Sequence, residues 1–289
     1  MLIVDSQVHI WAANTPERPW AEKAKPHRPE PFGKNELLRE MKAAGVDRVV
    51  IVPPSLDRTR NDLALDAAQS HPDQFAVMGK INPATHPRGT LADWRNEPGM
   101  FGLRFNFKKN MDRLSNPETM GWVWQEAEAA DIPLYVGVDH PAVKLVDAVA
   151  ERHPRLRIIL DHMALAGGIK DEEAFRNLDM LLAIAKRPNV AVKVSALPGY
   201  TTAPYPYRNL HDHVKRVYDA FGPGRMFWGS DLTRLKCTYR QCVTLFTEEM
   251  PWLTTVDLEL IMGRALCEWI SWPAPAVQGT RSGNQERRP

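Results

Sequence analysis

Eight short apolar runs, separated by amphipathic stretches, constrain this chain of 289 residues more than any other feature. They fall at 2–8, 48–52, 75–79, 102–105, 134–138, 157–160, 190–194 and 226–228. Between them, apolar residues recur every three or four positions. One such set is Leu37, Leu38 and Met41, and another is Val143, Val146, Val149 and Ala150. A third is Phe175, Leu178, Leu181, Leu182 and Ala185, and a fourth Val214, Val217, Tyr218 and Phe221. Such spacing marks one buried face of a helix. Strand–helix units in series build a parallel sheet, and eight is the number that closes into a barrel. The expected fold is therefore α/β, a single-domain (β/α)8 TIM barrel over residues 1–273. An open doubly wound sheet is the alternative, but no Gly-x-Gly-x-x-Gly follows any strand. The remainder, 274–289, is polar and aperiodic and is expected to be a disordered tail.

Composition narrows the function classes. With 44% hydrophobic residues the chain can bury one large core, and a net charge of +2 gives no reason to expect a nucleic-acid or membrane-surface binder. No run is apolar for long enough to span a bilayer. Cys237, Cys242 and Cys267 lack zinc-finger spacing and read as reduced thiols in a cytoplasmic setting. The opening has no basic flank or long apolar run, so no signal peptide is expected.

A barrel keeps its chemistry at the C-terminal ends of its strands, and polar residues gather there. Strand one ends Asp5-Ser-Gln-Val-His9, where alternation puts Asp5, Gln7 and His9 on one side. Strand four offers Arg104 and Asn106, strand five Asp139-His140, and strand six Asp161-His162. Strand seven carries Lys193 and Ser195, and strand eight ends Ser230-Asp231. Stability alone explains such convergence poorly, because each buried charge costs free energy unless paired. Arg104 has the fork that matches a carboxylate, so it suggests an anionic substrate. An ion pair with a barrel carboxylate such as Asp5 is its structural alternative. Lys193 faces inward, either to bind substrate or to balance Asp161 or Asp231. Two long connections, 15–32 and 197–207, are expected to be lids over this face, the second bringing Tyr200 and two further tyrosines to it, while Trp11 and Trp20 are expected at the pocket mouth. His211 and His213 sit two apart in a helical pattern and cannot form a metal clamp. His71, His86 and His153 each precede proline and read as turn residues.

The strings Asp-Ser-Gln-Val-His-Ile-Trp, Gly-Leu-Arg-Phe-Asn, Leu-Asp-His-Met, Val-Lys-Val-Ser-Ala and Phe-Trp-Gly-Ser-Asp follow one another along the chain. In that order they resemble the strand-end motifs of the amidohydrolase-related (amidohydrolase-2) family, most of all its lactonase branch. The segment 258–270 resembles that family's closing helix. The resemblance implies a hydrolase that adds water to a lactone or related cyclic ester, with Asp231 as general base. His9 and His162, with Gln7, would polarise the carbonyl, and Arg104, Asn106, Lys193, Trp11 and Tyr200 would bind the substrate. Its structural alternative makes Asp231 the cap of the next segment.

Gln7 stands where the family has the first histidine of its His-x-His, and glutamine is a poor zinc ligand. Catalysis without a metal is therefore favoured. Were zinc or manganese bound, its ligands would be His9, His162 and Asp231, with His140 as a further candidate. Two rivals remain: a metal-dependent decarboxylase of an aromatic acid, and a non-catalytic small-molecule binder. A homo-oligomer is left open.

Overall fold

The computed structural model describes residues 1–28 and 31–273, so the expected tail at 274–289 lies outside the described residues. Its strands are β1 (Val4–Val8), β2 (Arg48–Ile51), β3 (Phe75–Gly79), β4 (Met100–Asn106), β5 (Leu134–Gly137), β6 (Ile158–Leu160), β7 (Val190–Ser195) and β8 (Met226–Gly229). They pair in parallel and in sequence order. At the rim β8 returns to β1: Asp231 N donates to Gln7 O at 3.1 Å, and Ser230 N to Asp5 Oδ1 at 2.9 Å. The architecture is the expected (β/α)8 barrel, with strand ends displaced by two residues at most.

Burial on both faces explains why the strands read as unbroken apolar runs. Every residue of β7 and of β3 is buried. The helices cover the outside with the predicted stripes. Lys34–Ala44 buries Leu37, Met41 and Ala44 and ends on Gly45, whose φ of 75° few other residues would adopt. Val143–Arg152 buries Val143, Val146, Val149 and Ala150, while His211–Phe221 buries Val214, Val217 and Phe221. The third predicted helix is broken into Asp171–Phe175, Leu178–Leu182 and a 3-10 turn at Ala183–Lys186. Asn177, whose side chain competes with helical bonding, stands at the break.

Inside the barrel, Val4, Val50, Ala76, Met78, Tyr135, Ile159, Ala191 and Phe227 form an apolar layer. The helix Ala265–Ile270 and Trp272 close the N-terminal end. Polar side chains are thereby displaced to the opposite rim. The connection after β1 is pinned there: Trp11 and Phe32 exchange backbone bonds, Ala21 N donates to Leu56 O at 2.7 Å, and Arg18 pairs with Asp57 and Asp62. Among the described residues no helix is long and apolar enough to cross a membrane.

Candidate active site

Strand β1 departs from simple alternation. Asp5 pairs with Val49 and Val8 with Ile51, so β1 takes three steps where β2 takes two. One extra residue is a β-bulge, and it re-aims the side chains that follow. Asp5 turns to the Ser230 hydroxyl and to the Tyr239 hydroxyl at 2.6 Å. Gln7 and His9 instead line the cavity at the barrel mouth. The expectation that all three share a side therefore fails at the bulge. Asp5 becomes a tie between β1 and β8.

Three other strand ends turn sharply. His162, Ala196 and Asp231 have φ of 50°, 58° and 51°, left-handed backbone that side chains other than glycine rarely adopt. Such conformations cost about 1–3 kcal/mol each and cluster at functional sites. Here they bring His162 and Asp231 into one cavity of about 630 Å³ with Gln7, His9, Trp11, Arg104 and Asn106. The connection after β1 supplies a further wall through Ala21, Glu22, Lys25 and His27.

At the centre, His9 Nε2 lies 3.3 Å from Asp231 Oδ1, and His162 Nε2 lies 3.8 Å from Asp231 Oδ2. Asp231 is buried, yet neither of its oxygens accepts a hydrogen bond among the described residues, and it caps nothing with its side chain. Burial opposes its ionisation, but His9, His162 and Arg234 outweigh burial and hold it well below the usual carboxylate range. His9 Nδ1 donates to Val52 O at 2.6 Å, which turns Nε2 inward. His162 Nδ1 meets Ser195 Oγ at 2.7 Å. Burial pushes His162 down to about 4, against Asp231 and Asp161, so this ring is neutral at pH 7.

Beneath this centre lies a second group of charges. Lys193 is wholly buried, 2.5 Å from Asp161 Oδ1, bonded to Gln7 Oε1 and 3.6 Å from the centre of the Tyr135 ring. Its donors are spent, and it does not reach the cavity wall, so substrate binding gives way to positioning. Arg104 Nε pairs with the same Asp161, at 3.2 Å, and not with Asp5. Burial raises Asp161, but Lys193, Arg104 and His162 prevail and hold it well below the ordinary range.

Arg104 also reaches an adjoining cavity of about 310 Å³ shared through Ser55 and Asn106. Lys80 and Arg113 line it. Lys80 Nζ donates to the carbonyls of Pro54 and Arg58, and neither Lys80 nor Arg113 forms an ion pair among the described residues. Burial, helped by Arg104, pushes Lys80 down to about 8. Sequence reasoning missed Lys80, although it directly follows β3 and obeys the strand-end rule applied elsewhere. His140 is not part of the centre: its Nε2 is turned to Met163 O at 3.0 Å. Tyr200 lines a separate cleft with Gly168, Ser230 and Arg234. Tyr205 is held by Thr244 at 2.7 Å, so its loop is packed down rather than free as a lid.

A catalytic zinc or manganese would call on the two imidazoles and Asp231 as an open three-ligand set, yet among the described residues no group of three or more His, Cys, Asp or Glu side chains is arranged to hold a metal ion. Gln7 works against one. Lys193 only donates, so the Gln7 atom it meets is the amide oxygen, and the amide nitrogen faces the histidines. That nitrogen lies 3.2 Å from His162 Nε2 and 3.4 Å from His9 Nε2. A cation within reach of both rings would meet two N–H bonds, and the set as it stands does not fit one.

A model of the Amidohydrolase family (Amidohydro_2) matches residues 4–281. An L-fucono-1,5-lactonase of Burkholderia ambifaria is 28% identical over 238 residues, 79% of either chain. A 4-sulfomuconolactone hydrolase of Hydrogenophaga intermedia is 25% identical over 78% of this chain and 73% of its own. Among solved structures, an amidohydrolase of Burkholderia multivorans with bound zinc superposes with a TM-score of 0.78 at 21% identity, over 94% of this chain and all of that one. A probable 2-pyrone-4,6-dicarboxylic acid hydrolase of Acinetobacter baumannii, with citric acid bound, gives 0.77 at 17% identity over the same shares. These two establish likeness of fold. The family match spans the barrel from β1 onward, and the chain belongs to the amidohydrolase family.

Proposed function

We propose that this chain hydrolyses a lactone or related cyclic ester bearing an anionic group, with Asp231 as general base. The observation that carries the reading is the buried Asp231 carboxylate, with both oxygens free of hydrogen bonds among the described residues and His9 Nε2 3.3 Å away. A water against that carboxylate would give up its proton to an Asp231 oxygen, and Asp231 would pass it on to His9 Nε2, 3.3 Å away, as the water oxygen bonds to the ester carbonyl carbon. The protonated His9 then becomes a donor, able to face the developing oxyanion or the departing ring oxygen. The Gln7 N–H groups are turned to the two imidazoles and hold them in place, and a donor to the oxyanion such as His9 is generally worth about 2.7–4 kcal/mol in the transition state. His162, held by Ser195, fixes the other wall of the centre.

Charge supports the anionic substrate. Asp161 is the one carboxylate that both Lys193 and Arg104 pair with, and Lys80 adds a third cation with carbonyl partners alone. This leaves positive charge at the junction of the two cavities. A carboxylate or sulfonate placed against Arg104 and Lys80 would offset it while the ester lies against Asp231. The named relatives, two of them lactone hydrolases, favour this reaction class over decarboxylation.

The test is proton release, followed by pH indicator, on a panel of carboxylated and neutral sugar lactones. Turnover that is lost in Asp231→Asn supports the reading. A correctly folded protein that turns over no lactone overturns it.

A further inference from the structure

We infer that the Gln7 side-chain amide takes the corner of the reaction centre where a divalent metal would need a ligand, and that Lys193 locks it in the orientation that repels one. The inference rests on the assignment of His9, His162 and Asp231 as the reaction centre, but not on the identity of the substrate.

Four groups stand around one point. The separations are 3.3 Å from His9 to Asp231, 3.8 Å from His162 to Asp231, and 3.2 and 3.4 Å from the Gln7 nitrogen to His162 and His9. A tetrahedral zinc with bonds of about 2.0–2.2 Å holds its ligands roughly 3.3–3.6 Å apart. The separations come near those of such a set, and each imidazole is fixed from behind, by Val52 O for His9 and Ser195 Oγ for His162, yet among the described residues no group of three or more His, Cys, Asp or Glu is arranged to hold a metal ion. One corner has the wrong sign. An amide nitrogen has no lone pair to give and presents two N–H bonds.

Turning the amide over would place its oxygen at that corner, and Lys193 opposes the turn. Its ammonium is wholly buried and has Gln7 Oε1, Asp161 and the Tyr135 ring around it. A reversed amide would set N–H against N–H there, in a place no water can relieve. The amide thus supplies the centre with positive electrostatic character of its own, aimed at the two imidazoles. Gln7 and Lys193 are positioning residues in this account, acting through the histidines.

Gln7→Glu is the discriminating variant, because it is nearly isosteric. One carboxylate oxygen keeps the bond to Lys193, and the other replaces the amide nitrogen with an acceptor. Zinc content would be measured by atomic absorption after dialysis, and zinc affinity by competition with a chromophoric chelator. Thermal denaturation would report folding for the unaltered chain, Gln7→Glu and Gln7→His. The unaltered chain is expected to hold well under one equivalent and to show no zinc-dependent rise in Tm. Gln7→Glu and Gln7→His are expected to bind close to one equivalent, on the order of a hundredfold more tightly. A stoichiometric, chelator-resistant zinc in the unaltered chain overturns the inference, whatever the variants do. So do folded variants that bind zinc no better than the unaltered chain. These readouts are independent of turnover, so a failed lactonase assay and a failed metal prediction can be told apart.

Discussion

The two ends of the barrel both bury charge, and they do it in opposite ways. At the N-terminal end Arg48 is enclosed, but it donates to Asp73 O at 2.8 Å and Pro273 O at 2.6 Å and stacks 4.4 Å from the Trp272 ring. Its needs are met by neutral carbonyls and an aromatic face, and the apolar layer packs against it. At the C-terminal rim, Asp231 is as deeply buried, yet among the described residues its oxygens accept no hydrogen bond, and the Nε2 atoms of two imidazoles stand beside it. A saturated buried charge stabilises a fold. An unsaturated one is a group kept waiting for a ligand, and the strained backbone at His162 and Asp231 maintains it.

The largest expected effect breaks the rim. Asp231→Asn removes the base and should lower kcat/KM by about 10²–10⁴. Tm should fall only modestly, since the fold holds this carboxylate below the ordinary range and so favours its ionised form. A large loss of stability with intact turnover would place Asp231 among the structural charges instead. Arg48→Met is the converse. It leaves carbonyls unpaired at the closed end and should cost about 2–4 kcal/mol in denaturant unfolding, with kcat/KM unchanged well below the transition. A change in turnover would show that the ends are coupled.

This contrast also separates what the sequence disclosed from what it concealed. The strands were legible because burial on both faces makes them continuous apolar runs, and the rim residues were legible because polar groups interrupt those runs. The bulge in β1 was not. It hides one extra residue behind an unremarkable string, and so Asp5 was assigned to the wrong side. Partnerships across the barrel were equally hidden: Arg104 and Asp161 are 57 positions apart, and only the closed sheet brings them together. His140 follows a strand end and Tyr200 the connection after β7, as expected, but the turns there point them elsewhere. Lys80 was available to the strand-end rule and was passed over.

A smaller effect is expected at Lys80. Lys80→Met should raise KM for carboxylated lactones roughly tenfold, the loss of about one charge-assisted hydrogen bond, and leave neutral sugar lactones unaffected. An equal rise for both substrates would make Lys80 a prop for the Pro54–Arg58 turn rather than an anion ligand.

The smallest effect sharpens the comparison most, because one titration should move affinity and stability in opposite directions. Burial, with Arg104, lowers Lys80 from an ordinary 10.5 to about 8. Below pH 8 it is an ammonium and attracts an anion, so KM for a carboxylated lactone should climb several-fold between pH 7 and 9. KM for a neutral lactone should stay level, and in Lys80→Met both should stay level. Stability runs the other way. A lysine lowered by folding binds its proton more weakly in the folded chain than in the unfolded one. The unfolded state therefore takes up more protons between about pH 8 and 10.5, and over that window the contribution of Lys80 to folding stability improves as pH rises. Lys193, likewise lowered to about 8 by burial against the pull of Asp161, adds to that gain without touching the substrate. Comparing unfolding curves for the unaltered chain and Lys80→Met across this range isolates the Lys80 share. If KM and stability worsen together above pH 8, the rise in KM reports loosening of the rim and not the discharge of a group that binds the substrate.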